Sequence, residues 1–304
     1  MDALDALLEA YDIPTEATTD DELAAVAAAN SEMDLTRFAS VSSAKISYAT
    51  EYGQSITKLV VVDTALTDAD LAPLIDLLPA LKEVDLSQSA KLTDVTLIAL
   101  AQTSPGITKL TLNACTGFTD AGIMVAALTL NSLTDLSLTA CTKLTDQALE
   151  ALSQAPCIAS LTSLSLAYST SYTSDTLEAL LSETAALESL NLALVACVRN
   201  ESLKVVADRA PRLRDLNIAS CLLIDDDGIA ELCGGDDDDA EGIGPTLTTL
   251  NCASLPLVTD FGLSLLADYF PALRDLNLQL CEGITQLGAE NLYNSAPHIA
   301  KLTF

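Results

Sequence analysis

The 304 residues carry 43 acidic against 14 basic side chains, a net charge of −29, and half of them are apolar. A field of that sign repels nucleic acid and anionic membrane and favours basic or mixed-charge protein partners. No apolar run approaches the ~20 residues that span a bilayer. One histidine, His298, gives neither a Ser-His-Asp arrangement nor a histidine-rich metal site, and eight cysteines without a C-x2-C pair give no zinc framework.

Residues 1–55 hold 11 acidic and 2 basic residues. Leu4, Leu7, Leu8 and Tyr11 have helical spacing, and Pro14 ends that helix. Thr19 and Glu22 fit a capping box before Leu23, Val26 and Ala27. A third short helix is predicted over Asp34 to Val41, with Leu35, Phe38 and Val41 on one side. The acidic start lacks a basic region before an apolar core, so no secretory signal is expected and the protein is placed inside the cell, in cytoplasm or nucleus. The segment 1–55 is predicted to be a helical cap, with residues 20–46 packed as helices on the strand that starts at Ile56.

From residue 56 to 304 one unit recurs. Strand-leading residues fall at Ile56, Leu81, Ile107, Leu133, Leu161, Leu187, Leu213, Leu247, Leu273 and Ile299, and six of the nine intervals are 26 residues. The strand core reads LKEVDL from Leu81, LESLNL from Leu187 and LRDLNL from Leu273. This is the leucine-rich pattern L-x-x-L-x-L-x-x-C/N. A strand, a turn and a capped helix cannot bury their apolar edge alone, so copies must stack. The predicted fold is α/β, a right-handed leucine-rich-repeat solenoid curved as a horseshoe, with about ten repeats.

Within each unit the punctuation recurs. Thr67-Asp68, Thr93-Asp94, Thr119-Asp120, Thr145-Asp146 and Thr259-Asp260 are read as caps of the helix that follows. Pro79, Pro105, Pro156, Pro211, Pro271 and Pro297 stop each helix before the next strand. Cys115, Cys141, Cys221 and Cys281 lie eight residues after their leaders and are expected buried, reduced and metal-free. The fourth interval stretches to 28 residues around Pro156-Cys157. The seventh stretches to 34 through Asp236–Asp239, read as a solvated acidic loop. His298 is expected as an exposed loop residue, and the chain stops on a strand edge at IAKLTF.

The run CTKLTDQALEAL from Cys141 follows C-x-x-L/I-T-D-x-x-L-x-x-L, and CTGFTDAGIMVAAL from Cys115, CLLIDDDGIAEL from Cys221 and CEGITQLGAENL from Cys281 approach it with substitutions. They resemble the cysteine-containing leucine-rich repeats of F-box proteins. The stretch Asp20 to Ile46 is similar to a degenerate F-box, without the leading Leu-Pro and the late tryptophan. That resemblance implies docking on a cullin ubiquitin-ligase adaptor and a role as substrate receptor.

Strand alternation puts residues two, four and six after each leader on the concave face. The four-after row ends in Asn191, Asn217, Asn251 and Asn277, the two-after row supplies Asp215 and Asp275, and the six-after row turns small at Ala167, Ala193, Ala219 and Ala253. These asparagines and aspartates, with Tyr168 on the rim as aromatic anchor, are the predicted partner-binding residues. No catalytic constellation and no cofactor motif is found. The expected function is non-catalytic binding of a polypeptide on the concave face, as a ubiquitin-ligase substrate receptor; the alternative is a scaffold subunit of a large multiprotein assembly.

Overall fold

The computed structural model describes residues 31–36, 49–234 and 242–304. The chain divides into two compact units, Met1–Leu133 and Thr134–Phe304. Each is a section of an α/β leucine-rich-repeat solenoid. The first holds strands β1 (Glu32–Asp34), β2 (Lys58–Val60), β3 (Glu83–Asp85) and β4 (Lys109–Thr111), and helices α1 (Asp68–Ile75), α2 (Asp94–Thr103) and α3 (Asp120–Thr129). The second begins with β5 (Asp135–Ser137), α4 (Asp146–Ser153), β6 (Ser163–Ser165), α5 (Ser174–Ser182), β7 (Ser189–Asn191) and α6 (Asn200–Arg209). It continues with β8 (Asp215–Asn217), α7 (Asp226–Leu232), β9 (Thr249–Asn251), α8 (Asp260–Tyr269), β10 (Asp275–Asn277), α9 (Gln286–Ser295) and β11 (Lys301–Thr303).

Within each unit every strand pairs in parallel with the next in chain order. The leucine pattern explains this. Leu136 at mid-strand, with Leu133 and Leu138 on either side, is buried, while Asp135 and Ser137 are half-buried on the other face. Each fully buried leucine contributes roughly 1.5–3 kcal/mol relative to exposure. The long intervals leave the register intact. A 3-10 turn at Ile158–Ser160 absorbs the fourth, and Asp215 still pairs with Thr249 across the seventh. The residues of the acidic loop lie outside the described residues.

The strand ladder begins earlier than predicted. Ser31–Thr36 carries β1, not the start of a helix at Asp34. Met33 lies beside Leu59, 26 residues on, and Met33 and Leu35 are fully buried. Two apolar side chains two apart suit a strand face, and the β2 edge offers hydrogen bonds that a helix here would forgo: the Leu35 N–H donates to the Val60 carbonyl at 2.7 Å. Of the segment 20–46 expected to pack as helices, the described residues 31–36 instead pair through a strand with the one that follows Ile56. The other helices predicted before residue 49 lie outside the described residues.

The eighth position after each leader forms a buried column, and the cysteines occupy it as donors. Cys115 Sγ donates to the Leu86 carbonyl (2.9 Å), Cys221 Sγ to Leu192 (3.2 Å) and Cys281 Sγ to Cys252 (3.1 Å), each carbonyl belonging to the preceding repeat. Ser89 fills the same place in an early repeat and donates to Val61 at 2.6 Å. All eight cysteines are free thiols, and burial pushes Cys221 up to about 12. Where cysteine stands here the thiol is the donor and thiolate is disfavoured, while Val195 and Leu255 fill the same position in the sixth and eighth repeats without one. Cys221→Ser is therefore expected to cost no more than about 1 kcal/mol, because a hydroxyl reproduces the bond, whereas Cys221→Asp costs over about 3 by aiming a carboxylate at a carbonyl. Urea unfolding of both variants tests this, and equal losses would show that the column is only a volume constraint.

Candidate functional site

The concave strand face of the Thr134–Phe304 unit holds the predicted residues. Parallel pairing sets Asn191, Asn217, Asn251 and Asn277 side by side on β7 to β10. Adjacent strands in a sheet lie about 4.8 Å apart, which spaces the four amides evenly. Each asparagine folds back on its own strand end. Their Oδ1 atoms accept from the backbone N–H of Ala193, Ala219, Ala253 and Gln279, all at 3.1 Å. A free asparagine amide offers donors and an acceptor alike. The carbonyl side is instead engaged by the backbone, which fixes each side chain and presents its NH2 group.

Asn191, Asn217 and Asn251 line a shallow depression of about 300 Å³ with Asp215, Ser189 and Thr249. Asp215 is exposed at its floor. Arg214, whose charge could have cancelled it, reaches Glu188 instead, 4.0 Å away. Ser189 and Thr249 stand in the two-after row beside Asp215; their column was visible, but small polar residues give no signal of their own. Asp275 departs from expectation. It is half-buried and its Oδ2 accepts from Lys301 Nζ at 2.8 Å, so its charge is locally matched. Arg274 turns to the carbonyls of Pro271 and Leu273.

Tyr168 is exposed but stands apart from this depression, at the strand-exit corner one repeat earlier. Its backbone is left-handed, with φ of 61°. The same holds for the seventh residue of every repeat from Asp63 to Leu280, where the chain turns out of the strand. The N–H of Tyr168 continues the ladder by donating to Ala193 at 2.8 Å. Its position thus follows from the turn, and the side chain is free to project.

In the Met1–Leu133 unit the corresponding row alternates in sign, as Glu32, Lys58, Glu83 and Lys109 in register. Lys58 Nζ lies 2.9 Å from Glu32, and that hydrogen bond holds the ammonium above its ordinary pKa. That row is balanced two against two, whereas the corresponding row of the second unit sets Asp215 between Ser189 and Thr249 with no base beside it. His298 is half-buried rather than exposed, its Nε2–H donating to the Phe270 carbonyl at 3.1 Å, because the final turn packs against the end of α8. Among the described residues no group of three or more His, Cys, Asp or Glu side chains could hold a metal ion, and no helix is long and apolar enough to cross a membrane.

No family model matches the chain, and no curated protein matches it. Among solved structures it is similar to TLR13 in its complex with ssRNA13, at 18% identity over 89% of this chain and 35% of that one, with a TM-score of 0.53. It is similar to an internalin (inlF) from Listeria monocytogenes str. 4b F2365, at 17% identity over 98% of this chain and 94% of that one, with a TM-score of 0.50. Rad7 in its complex with Elc1 in yeast aligns at 17% identity over 79% of each chain, with a TM-score of 0.43. Likeness at these identities, to TLR13 and the internalin, establishes the leucine-rich-repeat fold.

Proposed function

We propose that this chain is a non-catalytic polypeptide-binding module whose partner lies on the concave face of the Thr134–Phe304 unit. One observation carries the reading: three in-register asparagines, held by their own backbone, present NH2 donors around the unpaired charge of Asp215. Such a surface meets backbone carbonyls with its donors and a Lys or Arg with its carboxylate. The partner is therefore basic or mixed in charge. Residues 1–55 would close the first repeat, and 56–304 would carry the binding face.

Affinity purification with mass spectrometry identifies the partner, and reversal of Asp215 then locates it. Asp275 is left intact because its pairing with Lys301 makes it a poor probe. Asp215→Arg is expected to weaken the purified partner at least about ten-fold and to flatten its salt dependence, with an unchanged melting temperature. Equal affinity for parent and variant removes the concave face from consideration. The cysteine-type motif favours one particular form of this reading, substrate receptor of an intracellular ubiquitin ligase, and a cullin adaptor among the partners would support it. A stoichiometric set of assembly subunits would support the scaffold reading instead.

A further inference from the structure

The outer corner of the second unit, where strand turns into helix, changes character over its last three complete repeats. In the fourth and fifth repeats the ninth and tenth positions after the leader are Thr142-Lys143 and Thr170-Ser171; in the seventh they are Leu222-Leu223, and in the eighth the tenth is Leu257. The fourteenth position, second residue of the helix, is Gln147, Asp175 and Glu201 in repeats four to six, but Phe261 and Leu287 in repeats eight and nine. These five side chains are 51–65% exposed. The fold needs nothing large there, since other repeats close the same turn with Thr, Ser and Gln.

The five form one surface. Asp225 bridges in parallel to Leu257, which sets the Leu222-Leu223 turn beside that of Leu257. Leu257 and Phe261 stand two residues before and two after the Thr259 cap, whose Oγ1 accepts from the Phe261 N–H, and Phe261 and Leu287 sit at equivalent places on the packed helices α8 and α9. The next turn cannot shield Leu257, because at the matching position it carries Gly283, tight against the Val258 carbonyl. Contiguous exposed apolar surface of this kind marks an interaction site. Its setting is strongly acidic. From Cys221 to Glu290 the chain carries 14 acidic residues against a single base, Arg274. Asp225, Asp226, Asp227 and Glu282 border the leucines, and Arg274 is spent on backbone carbonyls away from them.

We propose that this corner is a second docking surface, for an amphipathic polypeptide segment whose apolar face covers Leu222, Leu223, Leu257, Phe261 and Leu287 and whose Lys or Arg side chains meet the acidic border. The charge selects the occupant. An acidic segment or a second copy of this chain, with its net charge of −29, would be repelled. The proposal is independent of the concave-face reading, since no residue is shared.

Fluorescence anisotropy with the full chain tests it. The probes are a labelled amphipathic Leu-Lys helix, the same composition in a non-amphipathic order, and a Leu-Glu helix of the same pattern. The protein variants are Leu222→Thr with Leu223→Ser, Leu257→Ser with Phe261→Gln, and the four together; each introduces a residue that an earlier repeat carries at the equivalent position. The amphipathic Leu-Lys helix is expected to bind best, each pair of substitutions to weaken it about ten-fold, and Asp215→Arg to change it far less. Circular dichroism melts of the paired variants secure the fold even if the fourfold variant is lost. Equal binding of the two Leu-Lys probes, or unchanged affinity in both paired variants, overturns the proposal. So does sedimentation showing a dimer of the parent that the fourfold variant dissolves, because the corner would then belong to a second copy.

Discussion

Asp68→Ala is expected to destabilise the protein by about 3 kcal/mol at neutral pH, far more than loss of an ordinary helix cap. The Thr-Asp pairs divide their labour across repeats. The threonine caps its own helix, as when Thr93 Oγ1 accepts from the Val95 N–H at 3.3 Å. The aspartate reaches the neighbour: Asp68 accepts from Thr93 N–H at 2.9 Å, from Thr93 Oγ1 at 2.6 Å and from Thr96 Oγ1 at 2.6 Å. Asp94 does the same for Thr119, Asp226 for Thr259 and Asp260 for Thr285. Bonds to a charged acceptor contribute roughly 1.5–3 kcal/mol each, net of exchange with water and not additively when they share one carboxylate, and removal strands the hydroxyl of Thr96, a residue 1% exposed.

The effect depends on pH with a definite sign. Burial works against the charge on Asp68, but hydrogen bonds from Thr93 and Thr96 outweigh it and hold the carboxyl below its ordinary value of 3.8. For Asp146, burial is likewise overcome, by Thr176 and Thr173, and for Asp260 the bonds from Thr285 lower the value directly. A carboxyl that titrates lower when folded contributes fully above its unfolded value and loses that contribution as pH falls through the folded one. Stability should thus decline as pH falls below about 4, and the gap between parent and Asp68→Ala should narrow over the same range. Urea melts across pH measure both. A deficit under about 1 kcal/mol, or one independent of pH, would show that these carboxylates are not inter-repeat ties.

The sequence made the strand columns legible because three apolar residues recur at fixed offsets, and it made the thiol column legible because cysteine is rare. It did not make β1 legible: Met33 and Leu35 keep the spacing, but Asn30 stands where a leader should be, and alanine-rich sequence around it suggests helix. The inter-repeat reach of the aspartates was missed for another reason. Local capping explains a Thr-Asp pair completely, and only the stacking of one pair on the next shows that the carboxylate has a second choice. The asparagine ladder is similar. Alternation correctly put Asn191 to Asn277 on one face, yet alternation cannot see that each Oδ1 meets the N–H two residues on. The apolar corner is written in the sequence, but at the ninth, tenth and fourteenth positions, where polar residues carry no pattern against which a leucine stands out.

Gly117→Ala is expected to cost about 3 kcal/mol or more, although it adds one methyl group at a turn. Neighbouring repeats touch backbone to backbone at this corner, the tenth position of one against the eleventh of the one before. At Gly117 a Cβ would lie 1.8 Å from the Leu92 carbonyl oxygen and 2.9 Å from its carbon. No side-chain rotation relieves a clash with main chain. Leu92 itself is pinned, fully buried and donating its N–H to Ser89 at 3.1 Å. The repeats must separate by more than an ångström, or the turn must be rebuilt, and either change disturbs the cap bonds from Thr119 to Asp94 two residues away. Gly283 meets the Val258 carbonyl at 2.4 Å in the same sense, so Gly283→Ala should follow with a smaller loss. The fourth repeat carries Lys143 at this position, which shows that the turn tolerates a side chain when its path is set for one. Urea denaturation of the two alanine variants decides the matter: a loss below about 1 kcal/mol for Gly117→Ala would mean that the repeats can slide apart at little cost, and that the carboxylate ties rather than close backbone contact fix their spacing.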